Sequence, residues 1–191
     1  MTVRPSFTQI VEAARSVLAE SASPEDLLLA LLRQASALIG TELSLALKAA
    51  DLTEGIDDIA GQFKEVFATH PPPAAVTHFV VSSYALSEST GGQGSEPELL
   101  IDISGATDFR PEDLDWPAPP SYHPPFGFRL PLLDQLRKQF EKDEEKLDSL
   151  YLAFIQPALG VFVRAALRKL ERPYAVAVHC DDFDGCRFLL E

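Results

Sequence analysis

Apolar residues in the first seventy positions recur at helical spacing. Phe7, Ile10, Val11, Ala14 and Leu18 fall three and four apart, and so do Leu28, Leu31, Leu32, Ala35, Leu38 and Ile39. Each run has a start signal. Ser6 stands three residues before Gln9, the spacing of a capping box. Ser23 precedes Pro24, and proline suits a first helical position because its missing N–H would have no partner there anyway. Gly40 supplies a stop for the second run. A third helix is predicted over Glu54 to Thr69, with Ile56, Ile59, Phe63, Val66 and Phe67 inward. Residues 41–51 read two ways. Leu43, Leu45 and Leu47 alternate as in a strand, while Ile39, Leu43, Leu47 and Ala50 continue a helix. Ala and Lys tip that segment towards helix.

The period changes after Pro71, Pro72 and Pro73, which cannot continue a helix. "THFVVSSYAL" and "ELLIDIS" are rich in β-branched and aromatic residues, and a polar, glycine-rich stretch separates them. They read as two strands, the second ended by Gly105. Seven prolines between Pro111 and Pro131 exclude a helix or a central strand there. Leu132 to Ile155 is an amphipathic helix, which Pro157 should break or kink, and a last helix runs to about Glu171. "YAVAVHC" and "CRFLL" flank Asp181 to Gly185 as a closing hairpin. The expectation is an α+β fold. An antiparallel sheet of about four strands, in two hairpins, carries helices on one face and follows an N-terminal helical region. Residues 1–191 form one domain, divided into helical residues 1–70 and an α+β core over 74–191, with a proline-rich strap at 111–131.

Composition adjusts this picture. The longest apolar stretch, Leu150 to Leu167, contains Gln156, Pro157 and Arg164, so it reads as a buried helix and not as a membrane span. Met1 to Phe7 carries one Arg and no apolar run follows, so no signal peptide is expected. Two cysteines without such a signal point to reduced thiols and a cytoplasmic setting. A chain rich in Ala, Leu and Pro and poor in Lys fits a GC-rich bacterial genome. The net charge of −13 disfavours nucleic acid and anionic membranes as partners. It is concentrated in residues 71–125, where eight acids face Arg110 alone.

Candidate chemistry is sparse. His179, Cys180 and Cys186 crowd the closing hairpin with Asp181, Asp182 and Asp184. Side chains alternate across a strand. Tyr174, Val176, Val178 and Cys180 therefore share the more apolar face with Cys186, Phe188 and Leu190, while His179 points away. Neighbouring strand residues do not converge on one zinc ion. "DDFDG" lacks the length and the glutamate of a calcium loop. A cross-hairpin disulfide is geometrically allowed but opposed by the inferred compartment. "STGGQGS" lacks the lysine of a phosphate-binding loop. Pro119, Pro120 and Tyr122 match P-P-x-Y, a pattern that resembles ligands of WW domains. Against it stands an ordered strap with Trp116, Tyr122 and Phe126 packed on the domain.

His78 and Ser82 share one face of the first strand, and Asp102 and Ser104 share one face of the second. With His179 on the same side of the sheet, a Ser, an Asp and two His would line its exterior, the residue types of nucleophilic catalysis. The acid-rich middle and the polar sheet face give two functional expectations. The first is a non-enzymatic protein-interaction module, such as an inhibitor, immunity-type protein or chaperone-like adaptor. It would meet a basic protein through Glu112, Asp113 and Asp115, without cofactor or metal. The alternative is a small hydrolase using His78, Ser82, Asp102 and His179. The hairpin parity carries its own test: Cys180 and Cys186 should resist a thiol reagent in the folded chain, and rapid labelling without denaturant would place them off the core face.

Overall fold

The structure is a computed structural model. It describes residues 6–20, 22–40, 43, 49–86, 98–108, 120–125, 127–171, 174–180 and 186–190. Helix α1 spans Phe7–Leu18, α2 Pro24–Ile39 and α3 Ala49–Thr69. The start and stop signals act as expected. Ser6 Oγ accepts from the Gln9 N–H and Gln9 Oε1 accepts from the Ser6 N–H, so two orphan donors are satisfied reciprocally. Ser23 caps α2 through the Asp26 N–H, and Gly40 ends it at φ 69°, a left-handed position suited to glycine. α3 begins five residues before the predicted Glu54. Of residues 41–48 only Leu43 is described, buried with its N–H on Ser36 Oγ.

Strand β1 is His78–Leu86, β2 Glu98–Ala106, β3 Phe128–Arg129, β4 Ala175–Cys180 and β5 Cys186–Leu190. Among the described residues they form one sheet in the order β3-β2-β1-β4-β5. The fold is mixed α and β, but the sheet is not antiparallel throughout. β1 pairs antiparallel with β2, and β4 with β5, whereas β1 and β4 run parallel. The physical reason is chain routing. β2 takes one edge of β1. The chain then crosses the helical layer before β4 returns along the other edge in the same direction, as a parallel neighbour requires. β3 is a fifth, two-residue strand on β2. Gln62 of α3 covers its free side, donating to Arg129 O (2.7 Å) and accepting from the Arg129 N–H (2.9 Å), as a further strand would.

Helix α4 spans Pro131–Lys138, α5 Glu144–Leu150 and α6 Gln156–Lys169. Two expectations about this region are corrected. The helix predicted over Leu132 to Ile155 is interrupted between α4 and α5, where Asp143 caps the Lys146 N–H. Of the break or kink expected at Pro157, the break does not occur: helix Glu144–Lys169 is continuous through a π-turn at Tyr151–Ile155. The Gln156 N–H reaches back to Tyr151 O, five residues away. A proline ring clashes with the carbonyl four residues earlier, here Ala153, and the wider turn makes room for it.

α6 is apolar nearly all round, and Leu152 to Val163 are all buried. By length and composition Glu144–Lys169 could cross a membrane, but most of it lies inside the fold. The sheet offers it Phe79, Val81, Ile101, Ile103, Val176, Val178 and Leu190. The helix approaches so closely that a Cβ on Gly160 would collide with Leu190 Cδ1 and lie 2.5 Å from Val178 Cγ2. Gly61, midway along α3, has nothing within 4 Å of its Cβ position. Helix propensity favours Ala over Gly by about 1 kcal/mol at either site. Gly61→Ala should therefore stabilise the chain. Gly160→Ala should destabilise it by about 1–3 kcal/mol, because overpacking outweighs propensity. Urea unfolding of both variants checks the sign, and a stabilised Gly160→Ala would refute the tight packing.

Candidate functional site

Register decides which side chains share the outer face of the sheet. Phe79 and Val81 point into the helical layer. His78, Val80 and Ser82 alternate with them, opposite Ala106, Ser104 and Asp102. Val80, Ala106 and Ala177 form a small buried apolar cluster on this side. Ser82 and Asp102 are thus direct cross-strand neighbours, as parity requires. His78 is not brought to them: it lies four residues along β1, about 13 Å by strand rise. Its Nδ1 contacts Thr77 Oγ1 at 2.7 Å. In the backbone register His179 faces Arg187 and Cys180 faces Cys186, but the side chains of all four lie outside the described residues. Glu112, Asp113 and Asp115 also lie outside them.

The residue that does meet Asp102 and Ser104 comes from the strap. Gly105 does not end β2. It pairs with Phe79 inside the strand and forms a bridge to Tyr122. Its N–H donates to Tyr122 O (2.7 Å), and its carbonyl accepts from the N–H groups of Ser121 and Tyr122. A Cβ here would stand 2.9 Å from Tyr122 Cβ and from Val76 Cγ1, so only glycine lets the strap approach. The Tyr122 ring packs edge-on against Phe67 and Phe79, and its hydroxyl donates to His70 O at 2.7 Å. Burial, with Tyr174 nearby, pushes its pKa above the usual value. A tyrosine so committed to the core is not displayed as a P-P-x-Y ligand.

The next residue, His123, lies over the outer face. Its Nδ1 is 3.3 Å from Ser104 Oγ, and its Nε2 is 3.8 Å from Asp102 Oδ1. The imidazole is 54% exposed and the Asp102 side chain 27%. A hydroxyl, an imidazole and a carboxylate stand in the order that acyl transfer uses, although the ring presents Nδ1 rather than Nε2 to the serine. Sequence reasoning placed Asp102 and Ser104 on one face but missed His123. The signal was a histidine beside a strap tyrosine, and the docking of that tyrosine on Gly105 is a long-range contact.

A second surface lies between α3 and α4. Asp51, Glu54, Gly55 and Asp58 of α3 face Pro131, Leu132 and Gln135 of α4 across a groove of about 290 Å³. The acids recur at positions three and four apart, so they form one helical face. Gly55 sets the floor, since a Cβ there would meet Phe162 at 3.0 Å and Leu130 at 3.3 Å. No group of three or more His, Cys, Asp or Glu is arranged to hold a metal ion among the described residues.

No protein-family model, curated protein or solved structure matches this chain.

The groove depends on where α4 is held, and Asp134 holds it. This carboxylate is buried. It accepts from the Leu99 N–H at the start of β2 (3.1 Å) and from Arg137 Nε (3.1 Å), and pairs with Lys138 Nζ (3.1 Å). Burial opposes its charge. The hydrogen bonds from Lys138, Leu99 and Arg137, with the Arg137 charge, outweigh burial and bring its pKa below the ordinary 3.8. The folded chain thus favours the carboxylate more than the unfolded chain does. The stabilisation is complete above the unfolded value and is lost as pH falls through the folded one. Asp134→Asn should cost about 2 kcal/mol near neutral pH, because it removes a charged acceptor shared by the Leu99 N–H, Arg137 and Lys138. The gap between parent and variant should narrow on acidification. Urea unfolding at several pH values tests this, and a gap that does not change with pH would contradict it.

Proposed function

We propose that this chain is a protein-interaction module that docks a basic segment of a partner on its acidic surface, in the manner of an inhibitor, immunity-type protein or chaperone-like adaptor. The observation that carries this reading is the groove between α3 and α4. A lysine or arginine side chain suits it: the aliphatic stem against Pro131 and Leu132, the cationic head among Asp51, Glu54 and Asp58. Glu112, Asp113 and Asp115, in the acid-rich middle of the sequence, would extend the attraction. The net charge of −13 speeds encounter with a basic partner and repels nucleic acid and anionic membranes. A cytoplasmic setting is consistent with the cysteine count.

A second reading, a small hydrolase on the polar face of the sheet, is favoured by the contact of Ser104 with His123. These residues lie on the open outer face of the sheet, with the imidazole 54% exposed.

The interaction reading is tested with an arginine-rich peptide and two variants, Asp51→Asn/Glu54→Gln/Asp58→Asn and Glu112→Gln/Asp113→Asn/Asp115→Asn. The parent should bind with strong salt dependence. The groove variant should associate about tenfold more slowly at low salt and lose much of that dependence. A groove variant that associates like the parent at both salts would remove the groove from the proposal. If both variants do so, the acids serve solubility alone.

A further inference from the structure

We propose that Ser104 is a nucleophile activated by His123 and oriented through Asp102, able to accept an acyl group from small activated esters. This goes beyond the interaction reading and does not depend on the groove. A serine hydroxyl is a weak nucleophile until a base takes its proton. Here the base is in place, with His123 Nδ1 3.3 Å from Ser104 Oγ. Catalytic hydrogen bonds of this kind are often long before substrate binds. When Ser104 donates into Nδ1, the ring proton sits on Nε2, the nitrogen that faces Asp102 Oδ1 at 3.8 Å. The carboxylate then favours that tautomer and the imidazolium that forms on attack.

Paired backbone carries all three residues. Asp102 and Ser104 are two residues apart on β2, which is paired with β1 along this stretch. His123 directly follows Tyr122, whose backbone is bonded to Gly105 and whose ring is in the core. A site built on paired strands holds its geometry better than one on a free loop. The 54% exposure of the His123 side chain gives a small ester access. The substrate class is therefore small aryl esters, whose leaving groups need little help.

In the step itself, Ser104 Oγ bonds to the acyl carbon and the bond from that carbon to the aryl oxygen breaks. The serine proton passes to His123 Nδ1 and from there to the departing aryloxide. Water then attacks the acyl-serine, His123 takes its proton and returns it to Ser104, and the carboxylic acid leaves.

The test treats the full chain with p-nitrophenyl acetate and locates the acetyl group by peptide mass spectrometry. The expected result is one acetyl group on Ser104, absent in Ser104→Ala. Its rate should fall at least about a hundredfold in His123→Gln, the lower range for loss of a general base, and by a smaller factor in Asp102→Asn. Thermal melting of each variant verifies the fold. Should His123→Gln fail to fold, carbethoxylation of His123 in the parent chain gives the same comparison. Acetyl groups on lysines and the amino terminus with none on Ser104 would overturn the proposal. So would Ser104 acetylation at an unchanged rate once His123 is replaced or blocked.

Discussion

Helix α6 must be covered on every side, and most of the architecture follows from that. A helix apolar all round cannot lie on a surface, so it becomes the centre of the fold. The sheet covers it through β1, β4 and β5, while α2 and α3 cover it elsewhere. Glycine permits two close approaches: Gly160 admits Leu190 and Val178, and Gly55 admits Phe162. Polar groups also enter this interior. Gln156 donates to Ser83 Oγ on β1 at 3.1 Å, while its Oε1 is buried without a hydrogen-bond partner among the described residues. Pro157 is tolerated here because the π-turn relieves its clash one turn earlier.

The proline-rich strap has a structural role and a positional consequence. Tyr122 closes the end of the aromatic cluster formed by Phe63, Phe67, Phe79 and Phe128, and its backbone bonds to β2 at Gly105. Once that residue is inward, chain alternation carries its neighbour His123 to the outer face, where Ser104 and Asp102 stand. The polar cluster is thus a by-product of how the strap is anchored. A packing contact on one side of the sheet sets up possible chemistry on the other.

Charge is organised on the same scaffold. Asp51, Glu54 and Asp58 of α3 line a groove whose far wall, α4, is tied to β2 by Asp134. Asp57 of the same helix is instead paired with Lys169 of α6. The acids of one helix are therefore divided between an ion pair with α6 and the lining of the groove. The sequence total of −13 does not make that distinction.

Local signals were legible in the sequence because they act within one turn or one strand. Ser6 with Gln9, Ser23 with Pro24, and Gly40 mark helix ends through contacts three or four residues long, and strand alternation sorted Phe79 from His78 and Asp102 from Ile103 without any partner in view. The mixed α and β class followed from those periods. The parallel pairing of β1 with β4 did not, since an alternating strand is equally content beside a parallel or an antiparallel neighbour. The continuation of the helix through Pro157 depended on a π-turn that no residue type announces. Gly105 resembled a strand end, and its real role depended on Tyr122, seventeen residues away. His123 reached Ser104 only through that contact. Period and capping are properties of short segments, which the sequence alone determined; pairing direction, docking and the meeting of side chains from distant segments are properties of the packed chain, and only the tertiary structure decided them.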